Sequence, residues 1–447
     1  MSTQPARGMR DFLPDDVRRR QYVMGVIARV YEQYGFAPLE TPAVENIETL
    51  LGKYGEEGDR LIFKILKRGE GAATGQADLA LRYDLTVPLA RVVAEYRATL
   101  PKFFKRYQMQ PVWRADRPQK GRFREFYQCD VDAIGSHSVV VEVELLAAAC
   151  DVLARLGFAD FTVRLNHRKA LSGMLQASGV PAALHGETLV ALDKLDKIGP
   201  DGVTRELAER GVAPAAAAAL IALFSDGAAG NDAILARLEA VVGGDEAGAT
   251  GVRELRAILA LAAGTRAAAR LRLDPSLARG LSYYTGAIFE IAVPDLAGSL
   301  GGGGRYDDLI GMFGKQAVPA CGISLGLERI LVVMGERGMF PPDLALAAAD
   351  VMVAVWSEAR LADSVALAAE LRAGGLRVEV YPEADKLGKQ FKYASACGVP
   401  FVAVLGDDEA ARGEVALKDM RTGVQRSVPR ADAGREMVAA RGQAQGE

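Results

Sequence analysis

Apolar and polar positions follow two periods along this chain, and the places where the period changes mark its parts. DDVRRRQYVMGVIARVYEQYG (15–35) places Val23, Ile27 and Val30 at helical spacing, flanked by Met24 and Tyr31, and Gly35 supplies a stop; the spacing predicts an amphipathic helix. FAPLETPAVE (36–45) alternates with period two but carries two prolines, which predicts an edge or interface strand. Short strands and helices then mix as far as FTVRLNH (161–167), the strand expected to close this part. From 168 to 268 strand-like runs almost vanish. Alanine-rich helical segments such as GVAPAAAAALIALF and NDAILARLEAVV, joined by glycine-rich links, predict a helical insertion. Strand signals resume at AIFEIAV (287–293), and GISLGLERILVVMG (322–335) reads as an apolar helix. Beyond a linker, FPPDLALAAAD (340–350), the chain reads strand VMVAVW, helix ADSVALAAELRAGG, strand LRVEVY, helix DKLGKQFKYASACG, strand PFVAVLG. That order predicts a parallel sheet covered by helices, as a separate C-terminal domain.

Composition narrows the class. With 447 residues the chain is too long for one ordinary core, and its 50% apolar and 25% charged residues are those of a globular protein. A net charge of −3 excludes a surface that binds nucleic acid everywhere, so any polyanion site is local. Four scattered cysteines and three histidines give neither a zinc knuckle nor a disulfide framework, which implies a reducing compartment. The N-terminal MSTQPARGMRDFLP has no apolar core for a signal peptide, and the most apolar run, AAAAALIALF (215–224), is well short of a membrane span. A cytoplasmic protein is expected.

Against that balance, one stretch is basic. Between Phe103 and Phe126 lie Lys105, Arg106, Arg114, Arg117, Lys120, Arg122 and Arg124 against Asp116 and Glu125. A solvated loop is the usual fate of such a run. Here large aromatics interleave the charges and the run ends in CDVD, whose carboxylates could receive a cationic group. Two antiparallel strands joined by a loop at DRPQKG are expected, with Pro118 and Gly121 as turn residues. The run Gly301–Gly304 satisfies neither a P-loop nor GxGxxG; it reads either as a flexible connection or as backbone that a ligand or a neighbouring strand approaches closely. In LARGLSYYTGAIFE (277–290), paired tyrosines suit a half-buried sheet, or the wall of a site with Arg279 as its fixed cation. Gly322 and Gly326, four apart, suit close packing of a helix, and Arg329 beside them could reach an anion.

Together these stretches resemble the histidyl-tRNA synthetases, a family of class II aminoacyl-tRNA synthetases, from GMRDFLP (8–14) to LGDDE (405–409). GFAPLETPAVE is similar to the first class II motif, WRAD–RPQKGR–FREF to the second and GLERI to the third, while RGLSYYTG and GGGGRYDDL point to histidine. The resemblance implies an α+β catalytic domain on an antiparallel sheet (1–167 and 269–339), a helical insertion domain (168–268) that leans on the tRNA acceptor arm, and an α/β anticodon-binding domain (348–447). It implies L-histidine, ATP with Mg2+ and a cognate tRNA as substrates, and a homodimer formed through the Pro42 region.

By resemblance Arg114 and Arg279 flank the α-phosphate as catalytic groups, Phe126 stacks on adenine, Asp116 and Arg122 shape the ATP loop, and Arg329 meets the far end of ATP. Asp84, Thr86 and Gln128 fall near the α-ammonium, and Asp132, Tyr283 and Tyr284 line the imidazole pocket. Ser282, Asp84 and Asp132 depart from the residues many members carry, and RYDLT and REFYQCDVD look like the eukaryote-like branch. Lys386, Lys389 and Lys392 suit either a solvated helix face or a backbone-contacting one. The competing reading is a catalytically silent, synthetase-like regulatory subunit of ATP phosphoribosyltransferase; such chains generally lack the anticodon domain and part of the arginine set.

Overall fold

The computed structural model describes residues 3–443, apart from 193, 225–229, 279–282, 315 and 346–347. The chain divides into two compact units, Met1–Met339 and Phe340–Glu447.

In the first unit the helix Pro14–Gln33 starts with proline and two aspartates in its first turn, which suit the unsatisfied N–H groups and the positive dipole end there. It buries Val23, Ile27, Val30 and Tyr31 and packs against the helices Val140–Arg155 and Leu327–Glu336. The strands in chain order are β1 (Ala37–Pro38), β2 (Val44–Asn46), β3 (Lys64–Leu66), β4 (Ala77–Leu81), β5 (Phe104–Trp113), β6 (Glu125–Ile134), β7 (Thr162–His167), β8 (Leu271–Leu273), β9 (Ala287–Ala292), β10 (Ser299–Arg305) and β11 (Ala320–Gly326). Eight of them form one sheet in the order β1-β5-β6-β11-β10-β9-β7-β8, antiparallel throughout except for the parallel pairs β1–β5 and β7–β8 at its two edges. A small sheet, β2-β4-β3, lies apart from it.

The structure changes three sequence readings here. The stretch 36–45 is split: β1 is an edge strand of the large sheet, while β2 joins the small one. The segment 322–335 is not one helix, because β11 occupies 320–326 and the helix begins at Leu327. A strand enclosed on both sides is apolar throughout, so periodicity cannot separate it from a buried helix. The glycine run is no flexible connection but the buried strand β10, between β9 and β11. A Cβ on Gly303 would fall 1.9 Å from the Gly322 carbonyl oxygen, so close approach of a neighbouring strand is what its glycines permit.

The described residues of 168–268 form helices joined by turns, without a strand. The helices Arg168–Ala177 and Glu246–Ala262 pack on each other, and the second also packs on Val140–Arg155 and β7. In the second unit β12 (Val351–Ala354), β13 (Val378–Val380) and β14 (Phe401–Val404) are parallel as expected. The sheet continues with an antiparallel hairpin, β15 (Glu414–Asp419) and β16 (Gln425–Pro429), in the order β13-β12-β14-β15-β16. It is therefore mixed and not wholly parallel.

Candidate active site

One cavity of about 450 Å³ opens over the middle of the large sheet. It gathers Arg114, Asp116, Arg122, Phe126, Arg329, Asp84, Thr86, Gln128, Asp132, Tyr283 and Tyr284 from four separate stretches of chain. Arg279 and Ser282 lie outside the described residues.

The β5–β6 hairpin builds one end. Its strands pair in register from Phe104↔Ile134 to Trp113↔Glu125, and the loop beyond closes on itself through a Gln119↔Arg122 bridge with Gly121 at φ +69°. Arg122 donates two hydrogen bonds, of 3.0 and 2.9 Å, to the Asp116 carboxylate, the fork geometry that fixes a guanidinium best. Arg114 donates to the Tyr83 carbonyl at 3.1 Å and lies 4.3 and 5.1 Å from the ring centres of Tyr83 and Phe126. Arg329, in the first turn of the helix after β11, donates to the carbonyls of Ser299 (2.5 Å) and Gly121 (3.4 Å), tying that helix to β10 and to the loop. The basic run is thus not one patch. Arg106 is fully buried, Lys105 meets Glu144 and Lys120 meets Glu336.

The other end is acidic and buried. Asp84 precedes the helix Thr86–Glu95, and its Oδ1 accepts from the Tyr54 hydroxyl and the Val87 N–H, both at 3.0 Å. The Tyr283 hydroxyl donates to Asp84 Oδ2 at 3.4 Å. On β6, Gln128, Asp130 and Asp132 share one face by period-two alternation. Gln128 Nε2 donates to Ser324 Oγ at 2.8 Å, Asp132 faces the Arg106 guanidinium at 2.8 Å, and the Tyr306 hydroxyl donates to Asp132 Oδ1. Gly322, directly across from Asp132, leaves the room: a Cβ there would sit 1.8 Å from Asp132 Oδ1. Burial raises the carboxyls of Asp84 and Asp132, opposed for Asp84 by the Val87 N–H and for Asp132 by Arg106. Burial also pushes Asp130 up, to about 7, with Arg106 opposing and Asp132 reinforcing.

Asp130, one of the CDVD carboxylates that could receive a cationic group, lines the cavity too, as do Ser324, Tyr306 and Glu328, which the sequence does not single out. The family resemblance gives roles to Gln128 and Asp132 and none to Asp130 between them. Glu328 accepts from Arg20 and from the Tyr127 N–H, the first a pairing 308 residues apart that no local pattern reveals. Among the described residues no cluster of histidine, cysteine and acidic groups could hold a metal, and no helix is long and apolar enough to cross a membrane.

An antiparallel sheet flanked by helices, with a basic hairpin loop and a helix-borne arginine closing on one cavity, is the catalytic architecture of the class II aminoacyl-tRNA synthetases. A model of the histidyl-tRNA synthetase family matches residues 8–330, and one of an anticodon binding domain matches 350–439. The chain belongs to the histidyl-tRNA synthetase family. It is 45% identical to the histidine–tRNA ligase of Porphyromonas gingivalis, over 95% of this chain and 96% of that one, and 44% identical to that of Flavobacterium johnsoniae, over 96% and 98%. The crystal structure of histidyl-tRNA synthetase from a Nostoc species superposes with a TM-score of 0.82 at 31% identity, covering 98% of this chain and all of that one. An ATP phosphoribosyltransferase regulatory subunit/histidyl-tRNA synthetase from Bacillus halodurans shares the fold at TM-score 0.73 and 21% identity, over 91% and 99%.

Proposed function

We propose that the chain works as a histidine–tRNA ligase, joining L-histidine to ATP as histidyl-adenylate with release of pyrophosphate and then passing histidine to the 3′ end of its tRNA. The observation that carries this is the division of one cavity into an arginine-bearing end and a buried carboxyl end. Phe126 and Asp132 are six positions apart on β6, about 20 Å at strand rise, enough for a nucleotide and an amino acid laid end to end.

In the first step the histidine carboxylate attacks the α-phosphorus, and pyrophosphate leaves on the opposite side. Charge builds on phosphate oxygens, so positioning and fixed positive charge do most of the catalysis. Arg114 holds the α-phosphate, with Arg279 assigned to the other side by family resemblance. Phe126 stacks on adenine, Asp116 keeps Arg122 aimed at the nucleotide, and Arg329 meets the distal phosphates. Mg2+ enters as the counterion of ATP. Asp84, Thr86 and Gln128 take the α-ammonium; Asp132, Tyr283 and Tyr284 take the imidazole, whose polar partners would be left unpaired by an apolar competitor. In the second step the terminal ribose hydroxyl attacks the acyl carbon and AMP leaves.

Residues 1–167 and 269–339 form the catalytic core in this reading, 168–268 the insertion domain and 348–447 the anticodon-binding domain. The working unit is a cytoplasmic homodimer formed through the Pro42 region. ATP–pyrophosphate exchange tested with each amino acid separately decides the reading. Histidine alone should support exchange, and Arg114→Ala should slow it about 10²–10³-fold, the effect of losing one preorganised donor. Exchange with no amino acid, together with tight binding to an ATP phosphoribosyltransferase, would favour a regulatory subunit instead.

A further inference from the structure

Hydrogen-bond accounting at the acidic end leaves a remainder. Asp84 has donors on both oxygens. Asp132 has the Tyr306 hydroxyl on one oxygen; its Oδ2 has no hydrogen-bond donor among the described residues but lies 2.8 Å from the Arg106 guanidinium as an ion pair. Gln128 spends its amide N–H on Ser324, yet its Oε1 has no donor among the described residues. Asp130 is 2% exposed; its carboxyl takes the Ser324 hydroxyl, and its Oδ1 likewise has no donor among them. Buried acceptors are rarely left in this state unless something outside the chain completes them.

The two orphaned oxygens of this end that also lack a cation among the described residues, Gln128 Oε1 and Asp130 Oδ1, belong to neighbouring side chains. Gln128 and Asp130 stand on one face of β6, about 7 Å apart along the strand. Ser324 lies directly across from Asp130 on β11 and bonds both side chains. Two acceptors flanking one serine suit a donor with hydrogens in several directions, which is an ammonium group and not a ring N–H. The charged groups around Asp130 are Arg106 on β5, Asp132 beside it, Asp84, and Arg82, whose guanidinium already donates to the Pro111 and Thr41 carbonyls and to Gln110. Three carboxyls thus share two guanidiniums, one of them held by backbone carbonyls, which leaves room for a ligand cation.

The geometry points to Asp130 as a further substrate-binding residue: its Oδ1, with Gln128 Oε1, receives the α-ammonium of the amino acid. The inference rests on the histidine–tRNA ligase reading and adds to it a specificity determinant. An analogue without the amine leaves both acceptors unpaired.

The test uses the full-length enzyme in the exchange assay, with two competing inhibitors: histidinol, which keeps the amine, and 3-(imidazol-4-yl)propionate, which lacks it. Asp130→Asn should raise the KM for histidine about 10–100-fold, the effect of losing a charge-assisted bond, with the KM for ATP unchanged. Histidinol inhibition should weaken in parallel, while inhibition by the amine-free analogue stays at its wild-type value. Equal weakening of both inhibitors, or an unchanged KM for histidine, overturns the assignment. Should Asp130→Asn fail to fold, Asp130→Ser is read in the same way; if neither folds, Asp130 serves the fold and the inference falls. Absence of histidine-dependent exchange in the wild type would instead defeat the underlying reading.

Discussion

Asp130 and Asp132 lie on one strand face with Arg106 as their near cation, so the folded protein holds protons there that an unfolded chain would release. Burial raises Asp130 to about 7, above the ordinary value of about 3.9. Between these values the folded state binds more protons than the unfolded state, so this group's contribution to stability falls as pH rises from about 4 through about 7 and is flat beyond. Asp130→Asn cannot ionise. Urea unfolding midpoints at pH 5 and pH 8 should therefore differ less in the variant than in the wild type; an equal or larger drop in the variant would contradict the raised carboxyl. Arg106 works in the opposite sense. Arg106→Met leaves Asp132 buried beside an uncharged group, a loss of about 3–5 kcal/mol by thermal or urea unfolding. At this scale the sequence was legible where motif spacing is local, as from Arg114 to Asp132. It was silent where partners come from afar, as with Tyr306 on Asp132 or Arg20 on Glu328.

Strands β10 and β11 show why the middle of the sheet was harder to read than its flanks. Apart from Ser299, Arg305 and Ser324, their residues are glycine or apolar on both faces, and β9, β10, β11 and β6 pack their backbones close beneath the cavity. Neither a period of two nor one of 3.6 survives that composition, so 322–326 passed for helix. The hairpin β15–β16 was missed for the opposite reason. It closes the edge of its sheet, and GEVALKDMRTGVQRSVP carries enough polar positions to read as loop. The close approach itself is testable. Gly303→Ala puts a methyl 1.9 Å from backbone oxygen and should cost at least about 1–3 kcal/mol, by overpacking that no rotamer relieves. Gly186→Ala has open space around it and lies in the helix His185–Leu192, so it should be neutral or slightly stabilising. Equal unfolding midpoints for the two variants would show that β10 and β11 do not pack as described.

For the whole molecule, the two compact units allow the two steps of the reaction to be separated experimentally. Every cavity residue lies before Met339, whereas Lys386, Lys389 and Lys392 belong to the second unit, at the start and along one face of the helix Leu387–Ala396. All three are exposed, and Lys389 pairs with Asp385 at 3.0 Å, an exposed interaction worth little. In a chain of net charge −3, three lysines on one helix face form a local positive patch suited to an RNA backbone. Replacing all three by glutamate should leave histidine-dependent exchange untouched, because no cavity group is altered. Aminoacylation should fall about tenfold or more in kcat/KM for tRNA, and its salt dependence should become shallower by about one unit of log–log slope for each phosphate that the helix no longer binds. A uniform loss of both activities would mean that the substitutions damage the fold, and unchanged aminoacylation would return this helix to a solvated face. Only a selective loss, sensitive to salt, places the tRNA on these lysines.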